Sequence, residues 1–137
     1  MKHLSKLLLI TGLFVATAPL FSHADPVKIT EGSKVLFLPS HVSDKIPATV
    51  LQIFQNGQTK IVDDTEWHNV YIVPISELSP RVPCFANMCE NQHVLVTFSL
   101  TGGHATAVIT DMYAAGWVRL KFDAGYTGFE PISDLSK

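Results

Sequence analysis

This chain has little positive charge in any one place. Ten Lys and Arg against twelve Asp and Glu give a formal net charge of −2, and no Lys/Arg cluster interrupts that balance. A nucleic-acid binder needs a basic stripe to release counterions, so that class is excluded. A polybasic patch for anionic lipid is missing too. After residue 24 no apolar run is long enough to cross a membrane. Helical periodicity never persists there beyond about two turns, which argues against a helical bundle.

The marks of catalysis are also absent. There is no Gly-x-Ser-x-Gly elbow. Thr101-Gly102-Gly103 is followed by no helix whose N-terminus would hold a phosphate. His41, His68, His93 and His104 never stand two or four residues apart, so metal-ligand spacing is missing. His93 and His104 flank one hairpin and are the one pair a turn could bring near each other. The acidic stretch Asp63-Asp64-Thr65-Glu66 reads as a solvated turn rather than a calcium loop. A small β unit rarely encloses the deep, water-free pocket that catalysis favours. We therefore expect no enzyme, no cofactor and no metal.

What is present begins with an address. Lys2 and Lys6 precede an apolar run over residues 7–21, and Ser22-His23-Ala24 places small residues where signal peptidase reads. That is a secretory signal peptide cut before Asp25. The run is about 15 residues, short for a span, and Pro19 breaks it. No Cys follows the cut, which argues against a lipoprotein anchor. The expected destination is the periplasm or the medium. Disulfides persist there, so Cys84 and Cys89 are expected to form a short-loop bridge. The Cys pair has no second Cys or His pair to complete a metal site.

The rest of the chain says nearly the same thing twice. Residues 90–136 re-run residues 31–79. Lys34-Val35-Leu36-Phe37 answers to His93-Val94-Leu95-Val96, and Ala48-Thr49 to Ala105-Thr106. Pro74-Ile75-Ser76-Glu77-Leu78 returns as Pro131-Ile132-Ser133-Asp134-Leu135, 57 positions on. A repeat of that length is a small domain. The expected organisation is a signal peptide (residues 1–24), a first unit (25–79), a Pro-stiffened junction with the disulfide (80–89) and a second unit (90–137). Each unit reads as short strands with turn signals every 8–12 residues. Asn56-Gly57 predicts a hairpin with positive φ at both central residues. A unit this small suits a five-stranded barrel rather than a sandwich. The expected class is all-β, two tandem barrels, packed as a rigid pair because each core alone is near the lower size limit.

Val118-Arg119-Leu120-Lys121-Phe122-Asp123-Ala124-Gly125-Tyr126, followed by Phe129-Glu130-Pro131-Ile132-Ser133-Asp134-Leu135, resembles the Tudor and Agenet group of SH3-like barrels. The first repeat keeps Val35, Ala48, Val50, Lys60, Ile61, Asp64 and Leu78. It has Asp63 where the second has Phe122, and a longer turn carrying Trp67 and His68. The resemblance covers most of the chain after the signal peptide, as a pattern of spacing. It implies recognition of a protein or peptide on an aromatic cluster, through cation–π attraction. By position the cluster is Phe98, Tyr113, Phe122 and Tyr126 with Asp123 beside a cation. Trp67 is a further candidate in the first unit.

Two other readings share these residues. Leu36, Leu38 and Leu95 alternate with Val35, Phe37, Val94 and Val96, so the first strands are apolar on both faces. A half-exposed strand has one polar face, so the second face must meet the other unit, another subunit or a ligand. Hence the alternative of an envelope-associated assembly adaptor, with a homo-oligomer as its mark. The cell-wall-binding class of these barrels is the other, with peptidoglycan peptides as ligand.

Overall fold

The structure is a computed structural model that describes residues 27–137, so the expected signal peptide lies outside the described residues. The first half contains β1 (Lys34–Phe37), β2 (Ile46–Ile53), β3 (Gln58–Asp63), β4 (Val70–Pro74), a 3-10 turn (Ile75–Glu77) and β5 (Leu78–Pro80). A small hairpin follows, β6 (Cys84–Phe85) and β7 (Met88–Cys89). The second half runs β8 (His93–Thr97), β9 (His104–Met112), β10 (Trp117–Phe122), β11 (Thr127–Pro131), a 3-10 turn (Ile132–Asp134) and β12 (Leu135–Ser136).

Each half is one five-stranded antiparallel sheet, ordered β4-β3-β2-β1-β5 and β11-β10-β9-β8-β12. The expected barrels do not close. The last strand returns to pair with the first, but β4 and β5 remain the two edges of one sheet, and β11 and β12 the edges of the other. The strands form because the sequence alternates with period two. In β3, Thr59, Ile61 and Asp63 point inward, and in β10 Val118, Leu120 and Phe122 do. The first core gathers Val35, Phe37, Ala48, Val50, Ile61, Val73 and Leu78. The second gathers Val94, Val96, Ile109, Met112, Leu120 and Phe122, with Val82 and Met88 contributed by the junction.

The repeat is real, but its internal register differs from the sequence reading. Val35 pairs with Ala48 and Val94 with Ala107, so Ala48 corresponds to Ala107 and not to Ala105. Both halves carry a bulge at the same place: Leu51 is skipped between Val50 and Gln52, and Thr110 between Ile109 and Asp111. The Asn56-Gly57 turn also departs from expectation. Only Gly57 has positive φ, +83°, and the Phe54 N–H donates to the Gln58 carbonyl at 2.9 Å, leaving three residues between them. That is the three-residue hairpin closed by a glycine bulge. The Asn56 side chain accepts the Gln58 N–H at 3.0 Å instead of bending its own backbone.

The halves share a strand. After pairing with β1, β5 continues so that the Arg81 N–H donates to the Lys34 carbonyl at 3.1 Å and the Val82 N–H to the Met112 carbonyl at 2.8 Å. The turn between β9 and β10 covers the outer edge of β5: Ala114 N–H donates to the Pro80 carbonyl and Ala115 N–H to Ser79 Oγ, both at 2.9 Å. Lys45 stands 3.9 Å from the Trp117 ring centroid, a cation–π contact from one half to the other. Leu36 is fully buried, though it lies on the face of β1 opposite Val35 and Phe37. Its register partner is Ser79, so the second half supplies the cover that its apolar second face requires. Leu95 has no such cover and is partly exposed. The Cys84–Cys89 disulfide is formed and clasps the β6–β7 hairpin.

Candidate functional site

Three of the four expected aromatic residues come together. Phe98 follows β8, Phe122 ends β10, and Tyr126 precedes β11. The turn is tight: Phe122 N–H donates to the Tyr126 carbonyl at 2.9 Å and Gly125 N–H to the Phe122 carbonyl at 2.8 Å, with Gly125 at φ +104°. The Phe98 and Phe122 ring centroids are 5.9 Å apart, and those of Phe122 and Tyr126 are 4.5 Å apart. Interplanar angles of 26° and 17° make this a stack rather than an enclosing box. Phe122 is buried and Phe98 half-buried, while Tyr126 is 53% exposed. A Cβ at position 128 would lie 3.4 Å from the Phe122 ring, so Gly128 leaves that ring its place.

Asp123 follows Phe122 directly in the chain. Its N–H donates to the Thr106 carbonyl at 3.0 Å, and its carboxylate accepts a short hydrogen bond from the Thr106 hydroxyl. Asp64 holds the matching position in the first half. It accepts from Thr49 Oγ1 at 2.8 Å and pairs with Lys34 Nζ at 3.3 Å. Among the described residues no aromatic stack accompanies it, because Asp63 fills the place of Phe122. The Asp63 carboxylate is buried and accepts from Thr65 Oγ1 at 2.6 Å and Thr65 N–H at 3.1 Å. The Thr65 hydroxyl holds this carboxyl below its ordinary value, against the opposing pull of burial.

The other two candidates lie elsewhere. Trp67 is 75% exposed on the β3–β4 turn, with no ring against it among the described residues. Tyr113 is only 3% exposed and sits where the halves meet, bridged through its backbone to Arg81. Burial, with Asp111 nearby, raises its phenol well above the ordinary value. The Phe98–Phe122–Tyr126 group and the position of Tyr113 are thus separate. His93 and His104 do not approach: His93 pairs with Val108 and His104 with Thr97, at opposite ends of one ladder. Among the described residues no three His, Cys, Asp or Glu side chains gather as a metal site would require.

The seam between the halves holds a feature that single-repeat reasoning misses. A cleft of about 380 Å3 is lined by Lys34, Asp64 and His68 from the first half, Arg81 from the junction, and Asp111, Tyr113 and Arg119 from the second. Arg81 donates from Nε and Nη2 to both Glu90 oxygens, at 2.7 and 2.8 Å, and its Nη1 lies 3.4 Å from Asp111. This fork raises the Arg81 guanidinium above its ordinary value. The lining residues are scattered along the chain, and no local motif announces them. Comparison with protein families and with curated proteins found no match.

Proposed function

We propose that this chain is an exported, non-enzymatic binding protein that takes a protein or peptide ligand on the Phe98–Phe122–Tyr126 stack. The observation that carries the reading is a three-ring ladder whose outermost ring, Tyr126, is 53% exposed. A ring held from behind by two others offers rigid contact area at little entropic cost. Because the rings are nearly parallel, the surface is a platform. It suits a flat or aliphatic side chain laid across Tyr126, with Asp123 receiving a nearby cation, better than a methylammonium group enclosed on several sides. The Tudor-like reading belongs to the same proposal. A meander whose fifth strand returns to the first after a 3-10 turn is compatible with an open SH3-like unit. The disulfide is compatible with an oxidising compartment.

The test is a peptide array probed with the processed protein, followed by calorimetry on the strongest binders. Tyr126→Ala is expected to weaken binding by about tenfold or more, the cost of losing a stacked ring. Binders indifferent to Tyr126→Ala would sink the reading.

One observation favours assembly as a second reading. On the edge strand β4, Val70 and Ile72 are exposed and no charged residue interrupts the strand. Asp63 N–H donates to the Asn69 carbonyl and Ile75 N–H to the Gly57 carbonyl. That phase leaves the N–H and C=O groups of Val70 and Ile72 pointing away from the sheet. Uncharged open edges invite pairing. A monomeric mass at all concentrations by light scattering removes this reading.

A further inference from the structure

We propose that the cleft between the halves is a second binding site, for a carboxylate group, held by Arg119 and the hydroxyl of Tyr113. The argument is one of unspent donors. Four of the charged groups in the cleft satisfy each other. Lys34 donates to Thr49 Oγ1 at 2.7 Å and pairs with Asp64, while Arg81 is committed to Glu90 and Asp111. Asp111 also accepts from Thr110 Oγ1 at 3.1 Å. Apart from His68, whose Nδ1 lies 3.1 Å from the Glu66 carbonyl oxygen, two donors are left. Arg119 forms no ion pair among the described residues, and its guanidinium lies 5.9 Å from the Phe129 ring centroid, which leaves its polar rim free. Tyr113 is only 3% exposed, and its hydroxyl makes no hydrogen bond to another of the described residues. Among the described residues Thr59 Oγ1 is the one sealed, unpaired buried side-chain atom, and the Tyr113 hydroxyl is not one. It therefore opens onto the cleft it lines.

Tyr113 lines the cleft together with Asp64, Arg81, Asp111 and Arg119, so its ring sits among the cleft's charges. A phenol hydroxyl that opens onto the cleft is free to donate to a bound acceptor. A planar carboxylate matches the guanidinium fork of Arg119 and leaves a lone pair for the Tyr113 O–H. A doubly charged phosphate is disfavoured, because Asp64 and Asp111 stand in the same walls. The volume, about 380 Å3, suits a carboxylate with a short attached chain. The cleft exists only because the halves pack, so the site is independent of the aromatic stack.

The experiment is a titration of the processed, 15N-labelled protein with N-acetyl-alanine, acetate, N-acetyl-alanine amide and inorganic phosphate, followed by NMR. Saturable shifts at Ala114 and Arg119 with a dissociation constant of about 1–10 mM are expected for N-acetyl-alanine, and none for the amide or for phosphate. Acetate separates a bare carboxylate from a peptide-like one: equal affinity assigns the site to any small acid, weaker affinity to a chain terminus. Tyr113→Phe keeps the ring and is expected to weaken binding about tenfold. Arg119→Gln is expected to weaken it at least as much, and Tyr126→Ala not at all. The proposal is overturned if no shift saturates, if the amide binds as well as the acid, or if Tyr113→Phe binds like the parent.

Discussion

Thr59 and Asp63 are two inward-facing residues of β3 that the second half replaces with Val118 and Phe122. Thr59 is fully buried and its hydroxyl finds no partner. Replacing it by the residue its twin already carries, Thr59→Val, conserves shape and removes an unmet hydrogen bond. The expected gain is about 1 kcal/mol in chemical denaturation; an unchanged or lower midpoint contradicts the account. Asp63 acts in the opposite sense. Its folded pKa lies below the ordinary carboxylate value, so it contributes stability above the unfolded pKa. That contribution is lost as pH falls through the folded one. Asp63→Asn is therefore expected to flatten the acid limb of the stability profile, and an acid limb as steep as the parent's would refute it. Glu130 is shifted the other way, mainly by burial, with Asp134 adding to it. Its contribution is complete below the unfolded pKa and declines as pH rises through the folded one, so it does not mimic the Asp63 effect.

At the scale of elements, the β6–β7 hairpin is the least self-sufficient piece. Ala86 and Asn87 both have positive φ, +50° and +65°. Ala pays for that geometry in steric strain, about 1–2 kcal/mol. The Cys84–Cys89 bridge holds the turn closed, and Met88 from the same hairpin enters the second core. Cys84→Ser with Cys89→Ser is expected to cost about 2 kcal/mol, the entropy of a short closed loop. Loss of all folded signal would show that the hairpin carries more than that.

The elements also show how much the residues disclose. Strand positions were legible because alternation and glycine turns are local. The repeat itself was legible because the closing phrase is nearly copied. Its inner register was not. The β3–β4 turn exceeds its counterpart by two residues, so a single offset between the copies sets Ala48 against Ala105, and pairing sets it against Ala107. The stack of Phe98, Phe122 and Tyr126 was legible because these residues flank strand ends on one side of one sheet. The placing of Tyr113 was not, because its surroundings come from the other half and the junction.

For the whole molecule, the shared strand argues that the halves are one cooperative unit. Residues 80–82 hydrogen-bond to both sheets, and Leu36 depends on the second half for its cover. Heating followed by the fluorescence of Trp67 and Trp117 and by far-ultraviolet circular dichroism is expected to give a single coincident transition. Two separated transitions would mean that the seam contributes little.

The shared strand has a consequence for the order of folding. A chain that emerges from its N-terminus can finish the first sheet once Pro80 is free, since β5 is the last strand that sheet needs. What it then presents to the rest of the chain is a half-built template. The bare face of Leu36, the open edge of Ser79 and Pro80, and Val82 held just beyond them await the strands of the second half. Domains generally form in the order of synthesis. Here the first would guide the second, and the cleft between them would be the last part of the molecule to come into existence.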